Sequence, residues 1–170
     1  MEKHSRVITF AGNPLTLVGT LTKVGSKAQD FTALNNQLQP VKLSDFAGKI
    51  KVISVVPSVD TGICEAQTRW FNKEAAELEN VAILTISCDL PFALGRFCGA
   101  HGIDKVVTVS DHIATEFGIK YGFLIEELRL LSRGVVVIDK NDNVTYVEYV
   151  NEVTNHANYD QALIEIKKLV

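Results

Sequence analysis

What this 170-residue sequence lacks narrows the reading first. There is no clustered basic run. Seventeen Lys and Arg against twenty Asp and Glu give a formal charge of −3, so no phosphate-binding face forms and nucleic acid is not an expected partner. No apolar run approaches membrane-spanning length, and the opening M-E-K-H-S-R-V-I-T-F lacks the continuous apolar region of a signal peptide. The expected compartment is therefore the cytoplasm, with no membrane partner. Cysteine is scarce and odd in number, at three, in a chain long enough to build a core without staples. That makes redox or metal chemistry a better first reading than a disulfide framework. Repeats and low-complexity tracts are absent too, and the length suits one α/β domain spanning 1–170.

What is present centres on residues 51–71, K-V-I-S-V-V-P-S-V-D-T-G-I-C-E-A-Q-T-R-W-F. The run 51–56 is apolar and β-branched without polar alternation, as in a strand buried on both faces. Pro57 ends it. Asp60 or Thr61 can cap a following helix whose apolar face is expected at Ala66, Trp70, Phe71, Ala75 and Leu78. Cys64 then lies in the first helical turn, where unpaired amides and the positive end of the helix dipole favour a thiolate over a thiol. A Thr61 cap would direct its hydroxyl at the Cys64 amide, within reach of the sulfur. Spacing alone leaves a second possibility open, in which Thr61 only caps and Cys64 is a small buried hydrophobe.

Around this centre the pattern predicts a β-hairpin over 7–10 and 15–18 with its turn at Gly12, Asn13 and Pro14, an N-terminal addition occupying 1–20. Residues 25–36 read as irregular and 41–46 as a short strand. A second buried strand is expected at 81–87. Asp89 is placed to cap the next helix, with Pro91 in its first turn and Gly99 and Gly102 at its far end. A strand at 106–109, a helical turn at 114–117, a strand at 134–139 paired with 144–150 across N-D-N, and an amphipathic C-terminal helix complete the series. This order predicts an α/β thioredoxin-like fold, a central mixed sheet flanked by helices.

Pro57, Thr61 and Cys64 form P-x-x-x-T-x-x-C, which resembles the active-site motif of the peroxiredoxins. S-V-D-T-G-I-C at 58–64, D-L-P-F-A at 89–93 and R-F-C-G-A at 96–100 resemble more narrowly the bacterial Tpx-type thiol peroxidases, atypical 2-Cys peroxiredoxins on a thioredoxin fold. The likeness runs from the N-terminal hairpin to the last helix. It implies thiol-dependent reduction of hydrogen peroxide and alkyl hydroperoxides without a cofactor. Cys64 would attack the peroxide, Thr61 orient it, Pro57 shield the pocket, and Arg133, in S-R-G-V-V-V-I-D, hold the thiolate. Cys98 stands at the resolving position and would close an intramolecular disulfide with Cys64, reduced in turn by thioredoxin. The resemblance further implies a homodimer. Cys88 departs from the small residue, commonly alanine, expected there and reads as an inert buried thiol.

Three rivals stand beside this reading. Cys98-x-x-His101 has ligand-like spacing, and Cys64 with Cys88 could complete a four-ligand metal site, although no second paired motif exists. A thioredoxin-like disulfide oxidoreductase is the second, but Thr61 stands where C-x-x-C would begin. A non-catalytic redox sensor is the third.

Overall fold

The computed structural model describes the backbone of residues 1–170 and every side chain except those of Arg6 and Ala75. In chain order the elements are β1 (Lys3–Phe10), β2 (Asn13–Val18), β3 (Thr32–Leu34), β4 (Pro40–Lys42), a 3₁₀ turn (Leu43–Phe46), β5 (Ile50–Val55), α1 (Gly62–Ala75) and β6 (Val81–Ser87). There follow α2 (Pro91–His101), β7 (Val107–Ser110), α3 (Glu116–Tyr121), β8 (Leu124–Ile125), β9 (Gly134–Ile138), β10 (Val144–Tyr149) and α4 (Tyr159–Lys167).

Seven strands form the central sheet in the order β10-β9-β5-β6-β7-β3-β4. β5, β6 and β7 run parallel, while β9, β10, β3 and β4 pair antiparallel, so the sheet is mixed. The uninterrupted apolar runs have the cause inferred from sequence: both faces of the central strands are covered. Successive side chains alternate between two cores. Ile53, Val55, Leu84, Ile86 and Val136 meet Phe31, Phe117 and Tyr121 on one face. Val52, Ile83, Val135 and Val137 meet Phe71 of α1, Leu94 of α2 and Ala162 of α4 on the other. The crossovers β5-α1-β6 and β6-α2-β7 step the same way across the sheet, and α1 and α2 accordingly share a face.

Several boundaries differ from the sequence reading. The hairpin turns at Ala11 and Gly12, both at positive φ (49° and 81°), and Asn13 and Pro14 already belong to β2. A two-residue turn with both φ positive matches the twist of its strands, and Pro14 is tolerated near a strand start. The expected 41–46 strand is β4 followed by the 3₁₀ turn, and the 25–36 stretch contains β3. The expected 114–117 turn forms later, as α3. α1 ends at Ala75, short of Leu78, and its buried face is Cys64, Gln67, Thr68 and Phe71, whereas Ala66 is exposed. The Ala75 side chain lies outside the described residues. Counting apolar positions missed this face because two of its members are polar and internally satisfied, Thr68 by the Cys64 carbonyl at 2.9 Å and Gln67 by bonds to β5.

Beside the main sheet, β1, β2 and β8 form a second, three-stranded one. Glu152, just beyond β10, fastens the hairpin tip. Its carboxylate accepts from Thr9 Oγ1 (2.5 Å) and from the amides of Ala11 (2.9 Å) and Gly12 (3.0 Å), and the bonds from Thr9, Thr154 and Gly12 hold its pKa well below the usual carboxylate range.

Candidate active site

Thr61 is the N-cap of α1 with extended backbone, but its hydroxyl does not cap. It lies 3.2 Å from the Ser58 carbonyl and 2.7 Å from Cys64 Sγ, so the expected bond to the Cys64 amide is replaced by one to the sulfur. Cys64 is completely buried, and its sulfur also accepts from Arg133 Nη2 at 3.1 Å. Arg133 precedes β9, the antiparallel neighbour of β5, and this pairing carries the guanidinium to the start of α1. Gly134 permits the approach, since a Cβ there would stand 2.0 Å from the Glu148 carbonyl of β10.

A guanidinium stays charged and is costly to bury without compensation. Arg133 is 2% exposed. Its Nε donates to the Val153 carbonyl (2.8 Å) and its Nη1 to Gln67 Oε1 (3.1 Å), both neutral acceptors. Among the described residues no carboxylate forms an ion pair with it, which leaves the Cys64 sulfur as the one contact that can carry the opposite charge. Gln67 was not singled out in the sequence. Its Nε2 donates to Ser54 Oγ (2.8 Å), fixing the amide so that its oxygen faces Arg133. The signal available was a polar residue three positions after Cys64, on the face that carries the cysteine.

Thr61 and Arg133 open onto a cavity of about 450 Å³ that Pro57 also lines. Its other walls are largely apolar, with Phe10 from the hairpin, Ile63 from α1 and Val153 from the segment after β10. The structure thus brings Pro57, Thr61, Cys64 and Arg133 together. Cys98 lies apart, half-buried in the last turn of α2, with Sγ 3.3 Å from Thr108 Oγ1 of β7. All three cysteines are free thiols. Cys88, next after β6, is pushed up to about 12, first by burial and then by the carboxylates of Asp111 and Asp89.

One further expectation changes, and the metal-site rival finds no grouping among the described residues. Asp89 is not the cap of α2; Leu90 occupies that position, and the Asp89 carboxylate turns back toward residues 58 and 59. Cys98 and His101 face different partners, Thr108 and Glu65, and among the described residues no three His, Cys, Asp or Glu side chains are grouped to hold a metal.

Comparison with known proteins agrees in extent with this geometry. The Redoxin family matches residues 23–163. A thiol peroxidase of Oceanobacillus iheyensis is 60% identical over 161 residues, covering 95% of this chain and 98% of the relative. One of Bacillus subtilis is 56% identical over 163 residues, covering 96% and 98%. The crystal structure of a peroxiredoxin-like protein from Aquifex aeolicus superposes with a TM-score of 0.91 at 38% identity, covering 98% of this chain and 99% of the other.

Proposed function

Because the chain belongs to the redoxin family and is a thiol-dependent peroxidase on a thioredoxin-like fold, we propose that Cys64 is the sulfur that attacks the hydroperoxide. The observation that carries the assignment is the pair of donors, Thr61 Oγ1 and Arg133 Nη2, directed at one buried sulfur. The Cys64 thiolate forms a bond to the terminal oxygen of ROOH as the O–O bond breaks. The electron pair leaves with RO⁻, which takes up a proton to give ROH, and Cys64 becomes a sulfenic acid. Arg133 and Thr61 favour this step by donating hydrogen bonds where negative charge resides. Pro57 helps keep water from the sulfur.

The Cys98 thiol then attacks the Cys64 sulfenic sulfur, forming S–S, breaking S–O and releasing water. A disulfide needs the two Cα atoms within about 7 Å. Cys98 stands against β7, two strands away from β5, so the end of α2 and the start of α1 open to let the sulfurs meet. The strained, accessible disulfide suits reduction by thioredoxin. Hydrogen peroxide and alkyl hydroperoxides are the substrates. Phe10, Ile63 and Val153 support a preference for alkyl hydroperoxides, each buried methylene contributing about 0.8 kcal/mol. Cumene hydroperoxide is therefore expected to show the higher kcat/KM, and equal values for both peroxides would remove the preference.

Three free cysteines suit the cytoplasm. No helix among the described residues is long and apolar enough to cross a membrane. Exposed Leu90, Phe92 and Ile113, gathered where β6 and β7 end, support a homodimer. The bonds from Glu152 to the hairpin tip support reading 1–170 as one domain. The deciding experiment is disulfide mapping by mass spectrometry after one equivalent of hydroperoxide, with Cys98→Ser beside the wild type. A Cys64–Cys98 bond within one chain is expected, and Cys98→Ser should consume one equivalent and stall with thioredoxin as reductant. Continued cycling by Cys98→Ser would remove Cys98 from the mechanism.

A further inference from the structure

We propose that Asp89 is a positioning residue that fastens the loop ahead of Cys64 to the start of α2, and thereby sets the balance between peroxide attack and disulfide formation. The proposal rests on the roles given above to Cys64 and Cys98. Asp89 belongs to D-L-P-F-A, which the catalytic reading leaves without a task. Its Oδ1 accepts from Ser58 Oγ at 2.7 Å, and its Oδ2 accepts from the Val59 amide at 2.8 Å and from Ser87 Oγ at 2.7 Å. Its carbonyl accepts from Ser110 Oγ at the end of β7. One residue thus joins the loop between β5 and α1, the end of β6, the end of β7 and the helix that carries Cys98.

The connection continues to the sulfur. The Ser58 carbonyl accepts from the Thr61 amide at 3.4 Å and lies 3.2 Å from the Thr61 hydroxyl, which in turn sits 2.7 Å from Cys64 Sγ. A line of hydrogen bonds therefore runs from Asp89 through Ser58 and Thr61 to Cys64. Hydrogen bonds to a carboxylate are roughly twice as strong as neutral ones, so the first link is the firm one. The arrangement it holds keeps Thr61 on the sulfur, as peroxide attack requires, and keeps the loop and α2 in the positions that separate Cys64 from Cys98. The sulfenic acid consequently persists until these bonds open. In that interval a second ROOH can convert it to sulfinic acid, adding one oxygen to sulfur and releasing ROH.

The test separates the two steps. Single-turnover rates are measured for peroxide consumption and for conversion of sulfenic acid to disulfide, the latter by mass spectrometry and by the fluorescence of Trp70, the sole tryptophan. Asp89→Ala is expected to slow the first about tenfold and speed the second about tenfold, as loss of charge-assisted bonds dictates. The sulfinic fraction at fixed peroxide should fall with it. Ser58→Ala should move both rates in the same directions by less, and it decides the matter if Asp89→Ala does not fold. Asp89→Asn should recover only part of the wild-type balance, since its amide keeps an acceptor for Val59 and a donor for Ser58 but not the charge that strengthens these bonds. Rates that fall together, or that do not change, would overturn the proposal. A wild type that never forms the Cys64–Cys98 bond would overturn the roles of those cysteines and this proposal with them, whereas unaltered rates in the variants beside a normal wild-type disulfide would overturn this proposal alone.

Discussion

β5 and β6 are parallel neighbours, Val55 opposite Ile86; Cys88 directly follows β6, and Cys64 lies in the first turn of α1, the helix after β5. The two thiols meet opposite electrostatics. Cys64 receives a hydroxyl and a buried guanidinium. Cys88 faces the carboxylates of Asp111 and Asp89 and, with burial as the larger cause, is pushed up to about 12, so it remains a thiol at neutral pH. Burial does not separate them in the direction usually assumed. Cys64 is the more buried, at 0% exposure, while Cys88 is only half-buried. The difference is in what meets each sulfur: Cys88 combines burial with nearby carboxylates, whereas the more deeply buried Cys64 is met by two donors.

The largest effect that could break this comparison is exchange of the cysteines themselves. Cys64→Ser should abolish peroxide consumption, while Cys88→Ser should stay within about twofold of wild type in a thioredoxin-coupled assay. Comparable losses from both would erase the distinction. Arg133→Ala should lower kcat/KM by about 10²- to 10³-fold and slow alkylation of Cys64 at neutral pH. Arg133→Lys should restore only part, because an ammonium cannot span Gln67, Val153 and the sulfur together. An alkylation rate that ignores Arg133 would separate the guanidinium from the thiolate.

A smaller effect lies on the Cys88 side. Burial raises Asp111 to about 6, opposed by hydrogen bonds from the amides of Gly118 and Phe117. With its folded pKa above the ordinary 3.8, this group favours the fold in its protonated form. Its contribution to stability is complete below the unfolded value and is lost as pH rises through about 6. Urea unfolding at pH 4.5 and 7.5 should therefore show Asp111→Asn gaining on the wild type by about 2 kcal/mol at the higher pH. An equal difference at both pH values would contradict the burial argument. The smallest expected change is a severalfold faster alkylation of Cys88 in Asp111→Asn at alkaline pH, with Cys64 unaffected. An unchanged Cys88 rate would remove Asp111 from its protection and leave burial and Asp89.

The strands that frame the site were legible in the sequence because β5, β6 and β9 are covered on both sides and are therefore mostly apolar, with such buried exceptions as Lys51, Ser54 and Thr85. P-x-x-x-T-x-x-C was legible because its spacing places a cysteine in the first turn of a helix. Short elements escaped or were drawn too long: β3 spans three residues and β8 two, too few to show a period, and the strand read at 41–46 is the three-residue β4. Polar residues in inward positions escaped for a different reason. Gln67 and Asp89 look like a surface residue and a helix cap until the chain is folded, because their partners lie on other segments, Gln67 with Arg133 and Asp89 with Ser58. Arg133 needed the family resemblance, since an arginine at a strand entrance is usually a solvated flank.

The Glu152 fastening has a consequence for the order in which the molecule is assembled. Thr9 and Glu152 are 143 positions apart, among the most distant contacts the chain makes. During synthesis the hairpin emerges well before its fastening, and the bonds from Glu152 to its tip cannot form until residue 152 has been made. The Val153 carbonyl that holds Arg133 arrives with the next residue. A nascent or truncated chain can therefore complete β5, α1 and β6, and place Cys64 at the start of its helix, before either the cavity wall or the fixed guanidinium exists. Cys64 is made early, and the guanidinium that meets its sulfur is fixed late.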